Sequence, residues 1–233
     1  MTGLPEDCLP ALAACLSEKR AGGGTPVFAL QIGAMDGVQF DPLHRLIRLH
    51  GWHALLVEPL PDSFAALKSH YADPPGIAFA NCAIGEVPGS MPLYYVPRDV
   101  VQAEGFPAWV LGISSLTKAH IESQEGFFQR SGFSGLMRFV RTVSVEVVTL
   151  KMLLEAYGSP RVDVLQIDAE GFDYKVMRQW DFSASAPAIV NFEHARLTAD
   201  EKALSVELLL AHGYVLYRRG LDVTGFCSEM LRF

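Results

Sequence analysis

The stretch "VFALQIGAMDGVQFDPLHRLIRLHG", residues 27–51, carries the pattern on which the predicted fold rests. It opens with a short apolar run that predicts a buried strand, and a loop containing Gly33 and Gly37 follows. Apolar residues then recur at helical spacing until Gly51, a residue type that commonly ends helices. The stretch therefore predicts a strand, a loop and a helix.

The same alternation of strands and helices recurs along the chain. Two late strands, 214–218 and 222–227, are joined by the turn-like "RGLD" and predict an antiparallel hairpin. Buried strands that alternate with amphipathic helices form parallel sheets covered on both faces, so the sequence predicts an α/β fold. The other expected strands lie at 53–58, 77–84, 162–167 and 188–193, and the other expected helices at 62–72 (with Asp62 as N-cap), 149–158, near 171–179 and at about 198–212.

Other segments depart from this alternation. Residues 1–24 predict an N-terminal helical extension that ends in a glycine-rich linker, and residues 25–233 predict the main domain. The segments 91–97 and 143–148 alternate like edge strands. Residues 98–141 are rich in Gly, Phe, Ser and Arg, and so long a connection in a compact domain is usually a lid or a binding loop.

The composition limits the classes of partner and location. A net charge of -7 and a pI near 5.5 argue against a main role in binding nucleic acid or an anionic membrane surface. The four cysteines form no CxxC pair, and the start of the chain lacks the features of a signal peptide or a membrane span. We therefore expect a cytoplasmic protein with no nucleic-acid partner and no membrane span, while a monomer and a homodimer both remain open.

Candidate ligand-binding residues follow the predicted strands. In open α/β sheets, ligands bind outside the carboxyl ends of the strands. Gly33 and Gly37 permit a tight loop after the first strand, but the GxGxxG pattern of dinucleotide-binding proteins is missing. Glu58 ends the second strand, where a carboxylate can accept hydrogen bonds from a ribose diol or can simply be a solvated acid. The segment "NCAIG", 81–85, follows the third strand and could flank an adenine ring.

Carboxylates follow the strand at 162–167. Asp168 and Glu170 point to the same side if the extended geometry persists, and Asp168 is the first candidate to face a reacting centre. Glu170 could serve the site or the N-terminus of the next helix equally well. We interpret Asp163 and Asp173 as structural.

The next strand ends in "NFEHAR". His194 could act as a general base, oriented by Glu193 or Asp168, or could be a structural histidine. Asp168, Glu193 and His194 could also hold a divalent metal such as Mg²⁺. In the segment 98–141, aromatic and cationic residues could bind an acceptor or could only pack the segment itself. These are Trp109, Ser114, Ser115, Phe127, Phe128, Arg130, Arg138 and Arg141.

Several motifs together resemble the FkbM family of S-adenosylmethionine-dependent methyltransferases. They are "FALQIGAMDGVQFDP", "LLVEPLPDSFAAL", "FANCAIG", "SSL" at 114–116, "TLKMLL" and "VLQIDAEGFDYKVM". The resemblance covers roughly residues 27–217. It implies a class I methyltransferase (Rossmann-like) fold, with a seven-stranded sheet that is mostly parallel, has an antiparallel last strand and carries helices on both faces.

The resemblance also implies the cofactor and its site. S-adenosylmethionine would lie with its methionine end at the glycine loop and its ribose on Glu58. Gln31 stands where class I enzymes often carry an acid, and Met35 where this family often has Asn. The residues expected to bind the cofactor are Gln31, Gly33, Ala34, Asp36, Gly37, Glu58, Pro59, Cys82, Ala83, Ser115 and Asp168, and the catalytic candidates are Asp168, Glu170 and His194.

The expected function is O-methylation of a hydroxyl on a glycan or a secondary metabolite, with a sugar or polyketide-like molecule as acceptor. Methyl transfer does not require a metal, so Mg²⁺ is an optional addition to the site. The alternatives are an N-methyltransferase of the same fold, an NAD(P)-linked oxidoreductase and a binding protein without catalytic activity.

Overall fold

The computed structural model describes residues 8–72, 75–133 and 135–227. Its helices are α1 (Leu9–Ala21), α2 (His44–His50), α3 (Pro61–His70), α4 (Arg98–Ala103), α5 (Lys118–Arg130), α6 (Leu150–Ala156), α7 (Asp173–Met177) and α8 (Ala199–Ala211). Its strands are β1 (Phe28–Ile32), β2 (His53–Val57), β3 (Ile77–Ala80), β4 (Ala83–Ile84), β5 (Gly89–Tyr95), β6 (Arg141–Val148), β7 (Val164–Ile167), β8 (Ile189–Glu193), β9 (Tyr214–Arg219) and β10 (Asp222–Cys227).

The main sheet has seven strands in the order β3-β2-β1-β7-β8-β10-β9. Neighbouring strands from β3 to β8 are parallel, whereas β10 runs antiparallel to both β8 and β9. The expected mostly parallel α/β sheet is confirmed, as is the late hairpin. The strand order reverses between β1 and β7, and in open α/β sheets such a point is where ligands bind, outside the carboxyl ends of the strands.

Helices cover both faces of this sheet. Side chains alternate along each strand, so Leu30 packs in the layer under α6, α7 and α8, while Ala29 packs in the layer under α1, α2 and α3. Helix α1 belongs to the second layer through Leu12 and Leu16, and the indole N–H of Trp52 donates to Ser17 Oγ at 2.9 Å. The N-terminal helix is therefore packed on the sheet.

A row of polar side chains crosses the α1–α3 face of the sheet. Gln31, Gln166, Asn191 and Thr224 occupy matching positions on four neighbouring strands, and all are buried. Asn191 donates to Gln166 Oε1 at 2.8 Å, and Thr224 donates to Asn191 Oδ1 at 2.5 Å. A shift of register would leave these buried groups without partners, so the row specifies how the central strands align.

The structure corrects three local predictions. The strand predicted at 77–84 is interrupted because Asn81 turns its amide to the backbone carbonyls of Glu58 and Pro59, at 2.8 and 3.1 Å. The predicted edge strands β5 and β6 pair with each other, and β6 also pairs with β4, in a separate three-stranded sheet. Asp62 lies in the first turn of α3, whose N-cap is Leu60.

The described residues of the segment 98–141 form a structured cap. Helices α4 and α5 and two short 3-10 helices enclose an apolar cluster in which Phe106 lies between the rings of Phe128 and Phe139, at 6.5 and 5.6 Å. The cap contacts the three-stranded sheet, because Ser115 of the cap forms a β-bridge with Tyr94 of β5. Within the described part of the chain, no helix is long and apolar enough to cross a lipid bilayer.

Candidate functional site

A cavity of about 350 Å³ opens at the carboxyl ends of the central strands, between the sheet and the cap. Its volume falls in the range of small-molecule sites, about 300–1,000 Å³. The sheet contributes residues after β1, β2, β7 and β8, and the cap contributes the wall from Trp109 to Leu116 together with Phe127. The cavity thus lies where the fold predicts a ligand.

Gly33 allows the loop after β1 to approach the loop after β7. Its φ is +81°, and a Cβ atom on it would lie 1.8 Å from the carbonyl oxygen of Asp168. The N–H groups of Gly33 and Ala34 both donate to the carbonyl of Val57 at 3.0 Å. A side chain at position 33 would therefore push apart the two loops that form the floor of the cavity.

Glu58 connects two of the loops around the cavity. Its Oε2 accepts a hydrogen bond from the N–H of Met35 at 2.9 Å, and its Oε1 accepts one from the N–H of Leu60 at 2.8 Å. Burial raises the pKa of Glu58 to about 7, although these two bonds favour the ionised form. Each oxygen keeps a second lone pair, so the carboxylate can still accept bonds from a ligand in the cavity.

Two residues of the predicted cofactor site lie outside the cavity lining. Asp36 accepts bonds from the N–H groups of Val38 and Gln39, at 3.1 and 2.9 Å, and so shapes its own loop. Gly37 faces α3, where an added Cβ would come within 2.4 Å of Leu67 Cδ1. Both residues support the loop, and neither belongs to the lining of this cavity.

The remaining predicted cofactor residues do line the cavity. Gln31 is buried there, and its Oε1 has no hydrogen-bond partner among the described residues, so it could accept a bond from a ligand. Ser115 donates to the carbonyl of Glu170 at 3.0 Å and so joins the cap to the loop after β7. The full set is Gln31, Gly33, Ala34, Glu58, Pro59, Cys82, Ala83, Ser115 and Asp168.

Three carboxylates converge at the other end of the cavity. Asp168, Glu170 and Glu193 each offer an oxygen, and these oxygens lie within 4.8 Å of one another. We refer to the three residues as the acidic cluster. The expected extended geometry does not hold, because β7 ends at Ile167 and Glu170 has a φ of +45°. A tight turn therefore brings Asp168 and Glu170 together.

Burial and mutual repulsion govern the charge of these acids. The pKa of Glu193 is raised to about 8, first by burial and then by the charges of Glu170 and Asp173. The pKa of Asp168 is raised above its usual range by desolvation and by the charges of Glu170 and Asp173, although its side chain is exposed where it lines the cavity. The cluster is therefore harder to ionise than isolated carboxylates are.

Asp173, interpreted as structural from the sequence, lies deep in the interior of the protein. It begins α7, is fully buried, and accepts a bond from the N–H of Ala169 at 3.4 Å. Burial raises its pKa to about 8. Asp163 is structural as predicted, because it accepts from the N–H of Phe28 at 3.1 Å and pairs with Arg20.

The structure does not bring His194 to the cavity. Consecutive residues of a strand project to opposite sides, and Glu193 takes the cavity side. His194 is turned away, with burial and the charges of Arg218 and Lys202 lowering its pKa. Within the described residues, the ionisable groups close enough to share one cation are those of the acidic cluster, and His194 of the set expected from the sequence is not among them.

Three residues near the acidic cluster were missed by the sequence analysis. Nε2 of His120 lies 2.8 Å from Oε2 of Glu170. Nε of Arg196 lies 3.3 Å from Oε1 of Glu193, and Arg196 also donates to Oε1 of Gln124 at 2.6 Å. His120 and Gln124 are four residues apart on α5 and so lie on one face of the helix. This spacing of polar residues was the feature of the sequence that could have indicated their shared position.

The cap presents aromatic rather than cationic groups to the cavity. Trp109 and Phe127 line it, with their ring centroids 5.5 Å apart. Phe128 is buried behind them. Arg130, Arg138 and Arg141 lie outside the lining, and Arg138 instead stacks over Phe139 at 5.6 Å.

The fold and the site together define a class: an α/β protein with a small-molecule cavity at the strand ends, in which a buried glutamate and an acidic cluster face one space. Comparison with known proteins narrows this class. The sequence profile of the methyltransferase FkbM domain matches residues 31–216, so the chain belongs to the FkbM methyltransferase family. The family expected from the sequence motifs is thereby confirmed.

A solved structure supports the fold assignment. The chain is similar to the crystal structure of methyltransferase FkbM from Methylobacillus flagellatus KT, with a TM-score of 0.51 and 14% sequence identity. The similarity covers 86% of this chain and 43% of that one, so the chain spans less than half the length of this structural relative. No curated protein gives a significant sequence match.

Proposed function

We propose that the protein is an S-adenosylmethionine-dependent methyltransferase of the class I, Rossmann-like type, which methylates a hydroxyl oxygen of a glycan or secondary metabolite. The observation that carries this proposal is the single cavity that joins Glu58, at the end of β2, to the acidic cluster, at the ends of β7 and β8. A ligand in this cavity can place a ribose at one end and a reacting group at the other.

The first end suits a nucleoside. Glu58 can accept from two ribose hydroxyls, and small side chains at Cys82 and Ala83 leave a flat gap for a purine. Gln31 offers an unpartnered carbonyl oxygen beside the glycine loop, where the amino group of a methionine moiety could donate. Bound S-adenosylmethionine would supply the methyl group as an activated sulfonium.

The second end suits the acceptor. Methyl transfer is an in-line displacement, so the protein must align the acceptor and remove its proton. Asp168 opens into the cavity and has a raised pKa, which makes it a stronger base than an ordinary aspartate once ionised. His120, which lies outside the cavity lining, contacts Glu170, and Arg196, which lines the cavity, pairs with Glu193, so both carboxylates are oriented by neighbouring side chains.

The aromatic wall supports the acceptor class. The ring faces of Trp109 and Phe127 can pack on a sugar or a polyketide-like ring, while the acidic cluster accepts bonds from its hydroxyls. The same carboxylates could bind an amine, so N-methylation is the second candidate. The missing third glycine and the family membership argue against an NAD(P)-linked oxidoreductase.

The proposal is tested by isothermal titration of the purified protein with S-adenosylmethionine, its demethylated product and NADH. We expect saturable binding of the first two and none of NADH. Failure to bind either sulfur compound at millimolar concentration would contradict the proposal. Turnover on panels of hydroxylated and amine acceptors then separates O-methylation, N-methylation and a binding protein without activity.

A further inference from the structure

We propose that the acidic cluster of Asp168, Glu170 and Glu193 is a binding site for a divalent cation with hard oxygen preference, such as Mg²⁺ or Mn²⁺. The site faces the cavity, so part of its coordination sphere is open to an acceptor. Cation binding by the cluster does not depend on methyl transfer, whereas its use for the acceptor rests on the proposed function.

The distances in the cluster match such an ion. The three oxygens lie within 4.8 Å of one another. Opposite ligands of one cation lie about 4.8 Å apart at the ligand distances of Ca²⁺ and about 4.2 Å apart at those of Mg²⁺. The cluster is therefore about as wide as a cation site, and a small inward movement of the side chains would bring the three oxygens to Mg²⁺ or Mn²⁺ distances.

A buried oxygen without a partner points to a missing ligand. Glu193 is only 6% exposed, and its Oε2 has no hydrogen-bond partner in the described part of the chain. Burying an unpaired carboxylate oxygen is costly unless a cation or a donor satisfies it. Because Glu193 lines the cavity beside Asp168 and Glu170, a cation in the cluster would supply that partner.

The surroundings orient the cluster as they would orient metal ligands. His120 contacts one oxygen of Glu170 at 2.8 Å, and Arg196 approaches one oxygen of Glu193 at 3.3 Å. In metal sites, ligating carboxylates are commonly hydrogen-bonded from outside, as Glu170 is by His120, while Arg196 and Glu193 form an ion pair. Each glutamate keeps a second oxygen for the cation, and none of the described residues donates a hydrogen bond to the Asp168 side chain.

The charge balance also favours a cation. Three carboxylates share the cluster, and the carboxylates of Asp173 and Asp222 add negative charge around Asp168. Arg196 is the cationic side chain that lines the cavity in the described residues. A divalent ion would offset the remaining negative charge.

In the test, the full chain is first stripped of metal with EDTA and then titrated with Mn²⁺. Electron paramagnetic resonance measures the concentration of free Mn²⁺. No nucleotide is present, so failure of the methyltransferase proposal would leave this measurement intact. We expect one saturable site that excess Mg²⁺ displaces. Asp168→Asn and Glu193→Gln should each weaken Mn²⁺ binding at least tenfold, roughly the effect of losing one ligand.

Glu155→Gln is the matched control, because Glu155 is an exposed acid on α6 outside the cavity. It should bind Mn²⁺ like the unmodified protein. Circular dichroism checks that each variant is folded. If Glu193→Gln does not fold, the Mn²⁺ affinity of Asp168→Asn is the deciding measurement, because Asp168 lines the cavity. Absence of a saturable site, or equal binding by the Asp168→Asn protein, would overturn the proposal.

Discussion

Nε2 of His120 lies 2.8 Å from a carboxylate oxygen of Glu170, and this contact ties helix α5 of the cap to the loop that follows β7. Glu170 is held from two sides, because its backbone carbonyl also accepts a bond from Ser115. The cap is thus coupled to the residues proposed to act on the acceptor. A substitution in α5 that removes this contact should therefore change the position of Glu170 in the acidic cluster.

Replacing His120 tests this coupling. In His120→Ala, Glu170 loses its partner, so we expect kcat/KM for the acceptor to fall about tenfold or more while cofactor affinity stays the same, since second-sphere partners typically contribute 10- to 100-fold. Steady-state kinetics and calorimetry measure the two quantities. Lys118→Ala, an exposed change on the same helix, is the control. Parallel losses in cofactor affinity would refute the assignment of His120 to the acceptor end.

Replacing Glu58 tests the cofactor end. In Glu58→Gln, the amide NH₂ must face the N–H of either Met35 or Leu60, because both carboxylate oxygens accept backbone bonds. We expect S-adenosylmethionine to bind about ten- to a hundredfold more weakly, a loss of roughly 1.4–2.8 kcal/mol. Calorimetry measures the affinity, and Glu104→Gln at the exposed end of α4 is the control. Unchanged affinity would remove Glu58 from the cofactor site.

Replacing Gly33 separates a steric contact from backbone strain. In Gly33→Ala, the new Cβ meets the Asp168 carbonyl, whereas in Gly213→Ala it meets nothing within 4 Å although φ is similar, +81° against +78°. We expect Gly213→Ala to cost about 1 kcal/mol of unfolding free energy and Gly33→Ala at least 2 kcal/mol more. Urea unfolding measures both, and similar costs would contradict the close approach of β1 and β7.

Asp173 predicts how stability depends on pH. Its pKa is raised by burial to about 8 in the folded protein, above the value near 3.9 of an unfolded aspartate. The stabilisation from the neutral carboxyl is therefore complete below about pH 4 and is lost as the pH rises through 8. The unfolding free energy should fall over this interval, by an amount on the order of a few kcal/mol.

Asp173→Asn cannot ionise, so its unfolding free energy should fall less between pH 5 and pH 9. Asp168 and Glu193 keep part of the slope, because their pKa values are raised as well. Urea unfolding in the presence of EDTA provides the measurement. Asp200→Asn, at an exposed position in the first turn of α8, should retain the full slope. An equally steep slope in Asp173→Asn would show that Asp173 is ionised in the folded protein.

The sequence predicted the elements around the site better than the contacts within it. The strands at β1, β2, β7 and β8 follow from short apolar runs, because a central strand buries both of its faces. The positions of Glu58 and Asp168 at strand ends follow from the same runs. The sequence did not predict which of Glu193 and His194 faces the cavity. Consecutive side chains of a strand point to opposite sides, but this alternation does not tell which side is the cavity side.

The sequence by itself determined the family, the strand and helix pattern of the sheet, and the edge at which a ligand would bind, because these depend on local periodicity and on motifs read within short windows. Only the tertiary structure decided which side chains meet. His120 and Glu170 are fifty residues apart, and Arg196 and Gln124 seventy-two. Such contacts arise from the docking of the cap on the sheet, which brings distant segments together through packing that local periodicity does not encode.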